Sequence, residues 1–93
     1  MLTRSDIDAM SDAAARSTLD ALCVEKFGAR WKTAFAEFSG ITKRAVHVWM
    51  ADTRPPVWSI QLMDADSRAN DMARRLESLD LAIAEIQKAK RNF

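Results

Sequence analysis

The sequence predicts an all-α fold, and three observations lead there. Only two glycines and two prolines occur in 93 residues and tyrosine is absent, so the many turns of a β-sandwich or barrel have nothing to be built from. Apolar residues recur at spacings of three and four along most of the chain, the period of a helix face. Apolar residues make up 48% and charged residues 29%, a globular composition, and the length suffices for one core only.

The elements follow in order. Residues 1–12 offer only Leu2, Ile7, Ala9 and Met10 for burial, so they form either a frayed end or a short helix held by a neighbour. Ser11 or Asp12 caps a helix from Ala13 to Phe27, with Leu19, Leu22, Cys23 and Phe27 on its inner side and Gly28 as a left-handed stop. Trp31, Ala34, Phe35 and Phe38 then fall at i, i+3, i+4 and i+7, a short helix with aromatic anchors that Gly40 ends. Ile41 is an apolar plug. Thr42 is the N-cap for Lys43 to Ala51, whose inward residues are Ala45, Val46 and Trp49.

Asp52-Thr53-Arg54-Pro55-Pro56 breaks the chain, and one of the prolines serves as the first residue of the next helix. From Val57 to about Arg91 there is neither Gly nor Pro, and the capping residues Asp64, Asp66 and Ser67 predict a break between two helices. Beyond it, Ala69, Met72, Leu76, Leu79, Ile83 and Ile86 alternate at three and four, a heptad pattern. The expected organisation is an all-α fold of five helices, divided into a domain at 13–65 and a C-terminal dimerisation helix at 66–93.

Charge is distributed unevenly although the net value is +1. Residues 1–25 hold two basic side chains against five acidic ones, residues 26–54 hold six against two, and the remainder balances. A basic centre in a near-neutral chain suits a surface that displaces counterions from a polyanion. Cys23 is the only cysteine, so no internal disulfide forms, and its apolar neighbours make it core filling. No apolar run reaches membrane length, and Arg4, Asp6 and Asp8 stand where a signal peptide would be apolar, so a cytoplasmic, nucleoid-associated protein is expected.

The segment from Lys32 to Ala51, KTAFAEFSGITKRAVHVWMA, resembles the helix-turn-helix of the phage-repressor and Cro-like (XRE-type) family. Ala36, Gly40, Ile41, Val46 and Trp49 occupy the family's small, turn, post-turn and buried positions. Physically, Ala36 admits the second helix, Gly40 supplies positive φ, and Val46 with Trp49 anchors that helix. The flanks are also similar, with Phe27, Gly28 and Trp31 before the motif and Trp49, Arg54, Pro55 and Pro56 after it, and the likeness covers about residues 13–65.

What the resemblance implies is a domain that reads double-stranded DNA. Lys43, Arg44 and Val48, with His47 beside them, take the positions that reach base edges. Arg44 is the specificity residue because its planar fork bonds guanine O6 and N7 together; Lys43 reads bases or binds phosphate, and Val48 packs on a thymine methyl or shields the core. Lys32 and Thr42 at helix N-termini are phosphate contacts, and Arg30 and Arg54 are further phosphate candidates. The outward residues Thr42, Lys43, Arg44, His47 and Val48 include no acid, whereas a merely solvated face mixes signs.

Metal and catalytic chemistry find no constellation. His47 has no second histidine, Cys23 lies far away in sequence, and Asp64 with Asp66 reads as helix-cap chemistry, so neither cofactor nor enzyme is expected. The C-terminal helix from residue 67 would be about 37 Å long, more than a small domain can cover. Met72, Leu76, Leu79, Ile83 and Ile86 are therefore assigned to a homodimer interface; alternatively the first three fold back and only the isoleucines project. Two function classes follow: a dimeric repressor of the phage or mobile-element type acting at a palindromic operator, or an antitoxin or adaptor whose C-terminal stripe captures another protein.

Overall fold

The computed structural model describes residues 1–91, and within them the protein is all-helical, with five helices. They are α1 (Arg4–Asp8), α2 (Asp12–Phe27), α3 (Trp31–Ser39), α4 (Lys43–Ala51) and α5 (Val57–Arg91). Among these residues no helix is long and apolar enough to cross a membrane.

The chain start is the tied-down helix of the two options. Thr3 and Asp6 form a reciprocal capping box: the Asp6 N–H donates to the Thr3 hydroxyl, and the Thr3 N–H donates to the Asp6 carboxylate. These bonds hold the exposed Asp6 carboxyl below its ordinary pKa, the backbone N–H of Thr3 first and its hydroxyl second. Ile7 is fully buried, which fastens the single turn to the body.

α2 starts from Ser11, whose hydroxyl accepts from the Ala14 N–H at 3.1 Å. It buries Ala15, Leu19 and Cys23 against α3 and α5, and Cys23 is the core residue expected. Gly28 has the positive φ of a helix stop, but at φ 89° and ψ −175° it is not left-handed helical; it sits in a region essentially restricted to glycine. The core comprises Ile7, Ala15, Leu19, Cys23, Trp31, Phe35, Ala36, Val46, Ile60 and Met63. Phe38 does not join it. At the last turn of α3 it stays 44% exposed, set edge-on to Phe27 with centroids 5.7 Å apart, so the aromatic stripe of α3 ends with Phe35.

The five helices are divided differently from the expectation. No break occurs at residues 64–67: α5 runs unbroken for 35 residues, and the boundary at 65/66 lies within it. The polar side chains there are engaged sideways. Asp64 accepts the Leu2 N–H at 3.1 Å and lies 3.2 Å from Arg68, while Asp66 lies 2.8 Å from Lys26 of α2. Carboxylates held by other elements are not available to cap a new helix. The helix also begins at Val57, after both prolines; Pro55 is buried and the Pro56 carbonyl accepts from the N–H and hydroxyl of Ser59.

Arg54 fastens the α4–α5 connection to α1. Its guanidinium donates to the carbonyls of Met10, at 2.5 Å, and Ile7, and approaches Asp12 at 3.5 Å. From the other side Arg16 donates to the Thr53 carbonyl at 2.7 Å. Residues 1–67 thus form the head, and every residue from Arg68 to Arg91 is exposed on a stalk about 36 Å long. The whole measures 65 × 27 × 19 Å. The last two residues of the expected 66–93 element lie outside the described residues.

Candidate nucleic-acid interface

The rotation of α4 about its own axis decides which side chains reach outward. Gly40, at φ 77° and ψ 16°, is left-handed, and its N–H and that of Ile41 both donate to the Ala36 carbonyl, closing α3. The Thr42 hydroxyl then accepts the Ala45 N–H at 3.2 Å and opens α4. Val46 is fully buried, and Trp49 stacks edge-on against Phe35 and Trp58 at 6.4 and 5.7 Å. With those two residues inward, Thr42, Lys43, Arg44, His47 and Val48 are all exposed on one side. Val48 keeps 48% of its surface in solvent, so it does not shield the core.

The start of α3 lies beside this face. Trp31 is buried and its indole N–H donates to Asp20 at 2.9 Å, which pins the first turn. Arg30 is the N-cap but makes no side-chain cap bond, and no acidic residue occupies that turn, so the first amides have no anionic or hydroxyl partner of their own. Arg30, Lys32, Lys43 and His47, together with Ala29 and Thr33, line an open depression of about 350 Å³. Two separate stretches of sequence, residues 29–33 and 43–47, meet there. None of Arg30, Lys32, Lys43 and Arg44 is ion-paired with a carboxylate among the described residues.

Of the phosphate candidates, Lys32, Arg30 and Thr42 are therefore placed at or beside the depression, whereas Arg54 is directed to α1. Its guanidinium serves the carbonyls at the end of that helix. Thr33, whose hydroxyl is a further hydrogen-bonding group in the first turn of α3, was not among the expected residues because uncharged threonine gives no signal in a charge count. Among the described residues no group of three His, Cys, Asp or Glu side chains is arranged to hold a metal.

The second predicted surface is the stalk. Met72, Leu76, Leu79, Ile83 and Ile86 are 51–65% exposed, so none of them folds back on the head. No family model, curated protein or solved structure matches the chain.

Proposed function

We propose that the protein is a sequence-specific regulator of transcription that binds double-stranded DNA as a homodimer, acting most simply as a repressor at a palindromic operator of the phage or mobile-element kind. In this reading α3, the Gly40–Thr42 turn and α4 are a helix-turn-helix, and α4 is its recognition helix. The observation that carries it is the convergence of Arg30, Lys32, Lys43 and His47 on one open, acid-free depression next to Arg44. A duplex groove edge presents phosphates to such a depression and bases to the adjoining helix face. Burial of Ala36 and Val46, partial burial of Ile41 and Trp49, and the left-handed Gly40 are what the motif needs of those five positions.

Roles follow from position. Arg44 and Lys43 contact base edges, with His47 and Val48 beside them, and Lys32, Arg30 and Thr42 hold phosphates. Arg54 is left out of the DNA contacts. No cofactor or catalytic step belongs to this reading, and the cytoplasm around the nucleoid is the place of action. The exposed stripe of α5 also favours a second reading, an antitoxin or adaptor that holds a different protein there.

Selection from a random duplex library tests the proposal, followed by titration of the selected site. Enrichment of a palindrome with half-sites about 10 base pairs apart is expected. Arg44→Ala should weaken the best site about 5- to 150-fold and relax one base pair, while Lys32→Ala should weaken all sequences alike and lower the salt slope by about one. Absence of any enriched sequence would refute the function. Full affinity of Arg44→Ala would refute the docking of α4.

A further inference from the structure

We infer that α5 pairs with α5 of a second copy of this chain in parallel and in register along the Met72–Ile86 stripe, with Arg75 of each chain facing Asp80 of the other. This deepens the homodimer of the preceding reading, but its argument uses no property of the DNA face.

The stalk needs a cover. In proteins most helical stability comes from packing of an apolar face and not from propensity, and this helix leaves a continuous apolar seam in solvent beyond the reach of the head. In heptad terms Leu76 and Ile83 stand at a, and Met72, Leu79 and Ile86 at d. The seam is narrow, with Arg75 at g and Asp80 and Gln87 at e beside it and only small alanines at the other flanking positions from Ala73 to Ala89, as suits a two-stranded coil. Lys90 continues the a row, and a polar residue at a limits the number of strands.

Charge then sets the orientation. The g positions are Arg68, Arg75, Ala82 and Ala89, so they carry only positive charge; the e positions are Ala73, Asp80 and Gln87, so they carry only negative charge. An antiparallel pair sets g against g and e against e, which brings no opposite charges together in any register. A parallel pair sets each g against the e five residues on, which makes Arg75 face Asp80 twice. Arg68 is already committed to Asp64, whereas Arg75 and Asp80 have no ion-pair partner among the described residues.

The test uses the full chain without DNA. Lys90→Cys is placed in a glutathione redox buffer, with the parent chain, whose buried Cys23 should stay unlinked, as control. In the parallel pair two cysteines at position 90 meet at disulfide distance; in an antiparallel pair centred on the stripe they lie about 33 Å apart, far beyond the roughly 7 Å limit. Sedimentation equilibrium should show a dimer, weakened about 10-fold by Asp80→Arg and returned to within about threefold of the parent by Arg75→Asp with Asp80→Arg. A dimer that fails to cross-link at residue 90, or that Asp80→Arg leaves unchanged, overturns the orientation. A chain that is monomeric at about 100 μM, or that forms a higher oligomer, overturns the pairing itself. A cross-linked dimer that selects no duplex leaves this inference standing and removes the DNA reading; a monomer that shifts DNA does the reverse.

Discussion

Lys26 lies 2.8 Å from Asp66 while its ammonium also sits 5.3 Å from the ring centre of Phe38 and 5.7 Å from that of Phe27. One cation thus joins α2 to the first third of α5 and covers the aromatic pair at the edge of the core. The carboxylate and ammonium side chains are both largely withdrawn from solvent, so their attraction is screened less than that of a surface pair.

Lys26→Ala should accordingly cost more than Asp66→Ala, about 2 kcal/mol against about 1 kcal/mol, because it removes ring contacts as well as the ion pair. Denaturant midpoints of the two variants and of the double variant measure the coupling. Raising the salt concentration should shrink the Asp66→Ala effect and leave most of the Lys26→Ala effect. Equal effects for the two variants would mean the rings gain nothing from the ammonium.

Arg54 carries the second prediction. Its guanidinium donates to the Met10 and Ile7 carbonyls, so Arg54→Ala strips α1 of its C-terminal partners and should destabilise the head by about 1.5–3 kcal/mol. Lysine has no planar fork to span two carbonyls, so Arg54→Lys should recover only part of this. Hydrogen exchange should quicken first in residues 4–10. DNA affinity per folded molecule should not change, and a large loss of affinity in a fully folded Arg54→Ala chain would return this residue to the phosphate contacts.

These two side chains also explain what the sequence made legible and what it did not. Ser11, Thr42 and Gly40 act within a few residues of themselves, so helices 12–27, 31–39 and 43–51 were readable from local rules, and so was the outward row of α4. Asp64 and Asp66 look like caps only while their partners are unknown; Leu2 and Lys26 lie 62 and 40 positions away along the chain and take those carboxylates. The bonds of Arg54 are hidden for the same reason, since its acceptors are 44 and 47 residues distant. The first helix did leave a local signal in Thr3 and Asp6, the two ends of a capping box, but one turn with a single buried isoleucine has too little periodicity to show. Placing Arg30 and Lys32 next to Lys43 depended on the Gly28 turn, whose angles no residue count supplies.

The two glycines should respond differently to the same replacement. Nothing lies within 4 Å of a Cβ built on either, so the cost of a side chain is one of backbone alone. Gly40 is left-handed helical, a conformation asparagine tolerates, and Gly40→Asn should cost less than about 1 kcal/mol, with Gly40→Ala at about 1–2 kcal/mol. Gly28 at ψ −175° offers no such refuge, so Gly28→Asn and Gly28→Ala should both cost about 1–3 kcal/mol. Thermal unfolding of the four variants ranks them. Equal tolerance of asparagine at both sites would show that the turn at residue 28 can relax.

Cys23 supplies the pH prediction. Burial, with a smaller contribution from the nearby Asp20 charge, pushes its thiol up to about 12 from an ordinary 9.0. Below pH 9 the thiol is neutral in folded and unfolded chains alike, so the stability it contributes is fully present. Between pH 9 and 12 the unfolded chain ionises and the folded chain does not, which favours unfolding progressively until the folded thiol itself titrates. Cys23→Ala removes the titrating group while leaving a smaller apolar residue, at a packing cost of about 1 kcal/mol that does not depend on pH. The parent should therefore be the more stable of the two at pH 7, and its advantage should shrink and then reverse as pH rises through this window. Urea midpoints of both chains at pH 7, 9 and 10.5 measure the crossing, and a constant difference between them would show that the thiolate is accommodated in the fold.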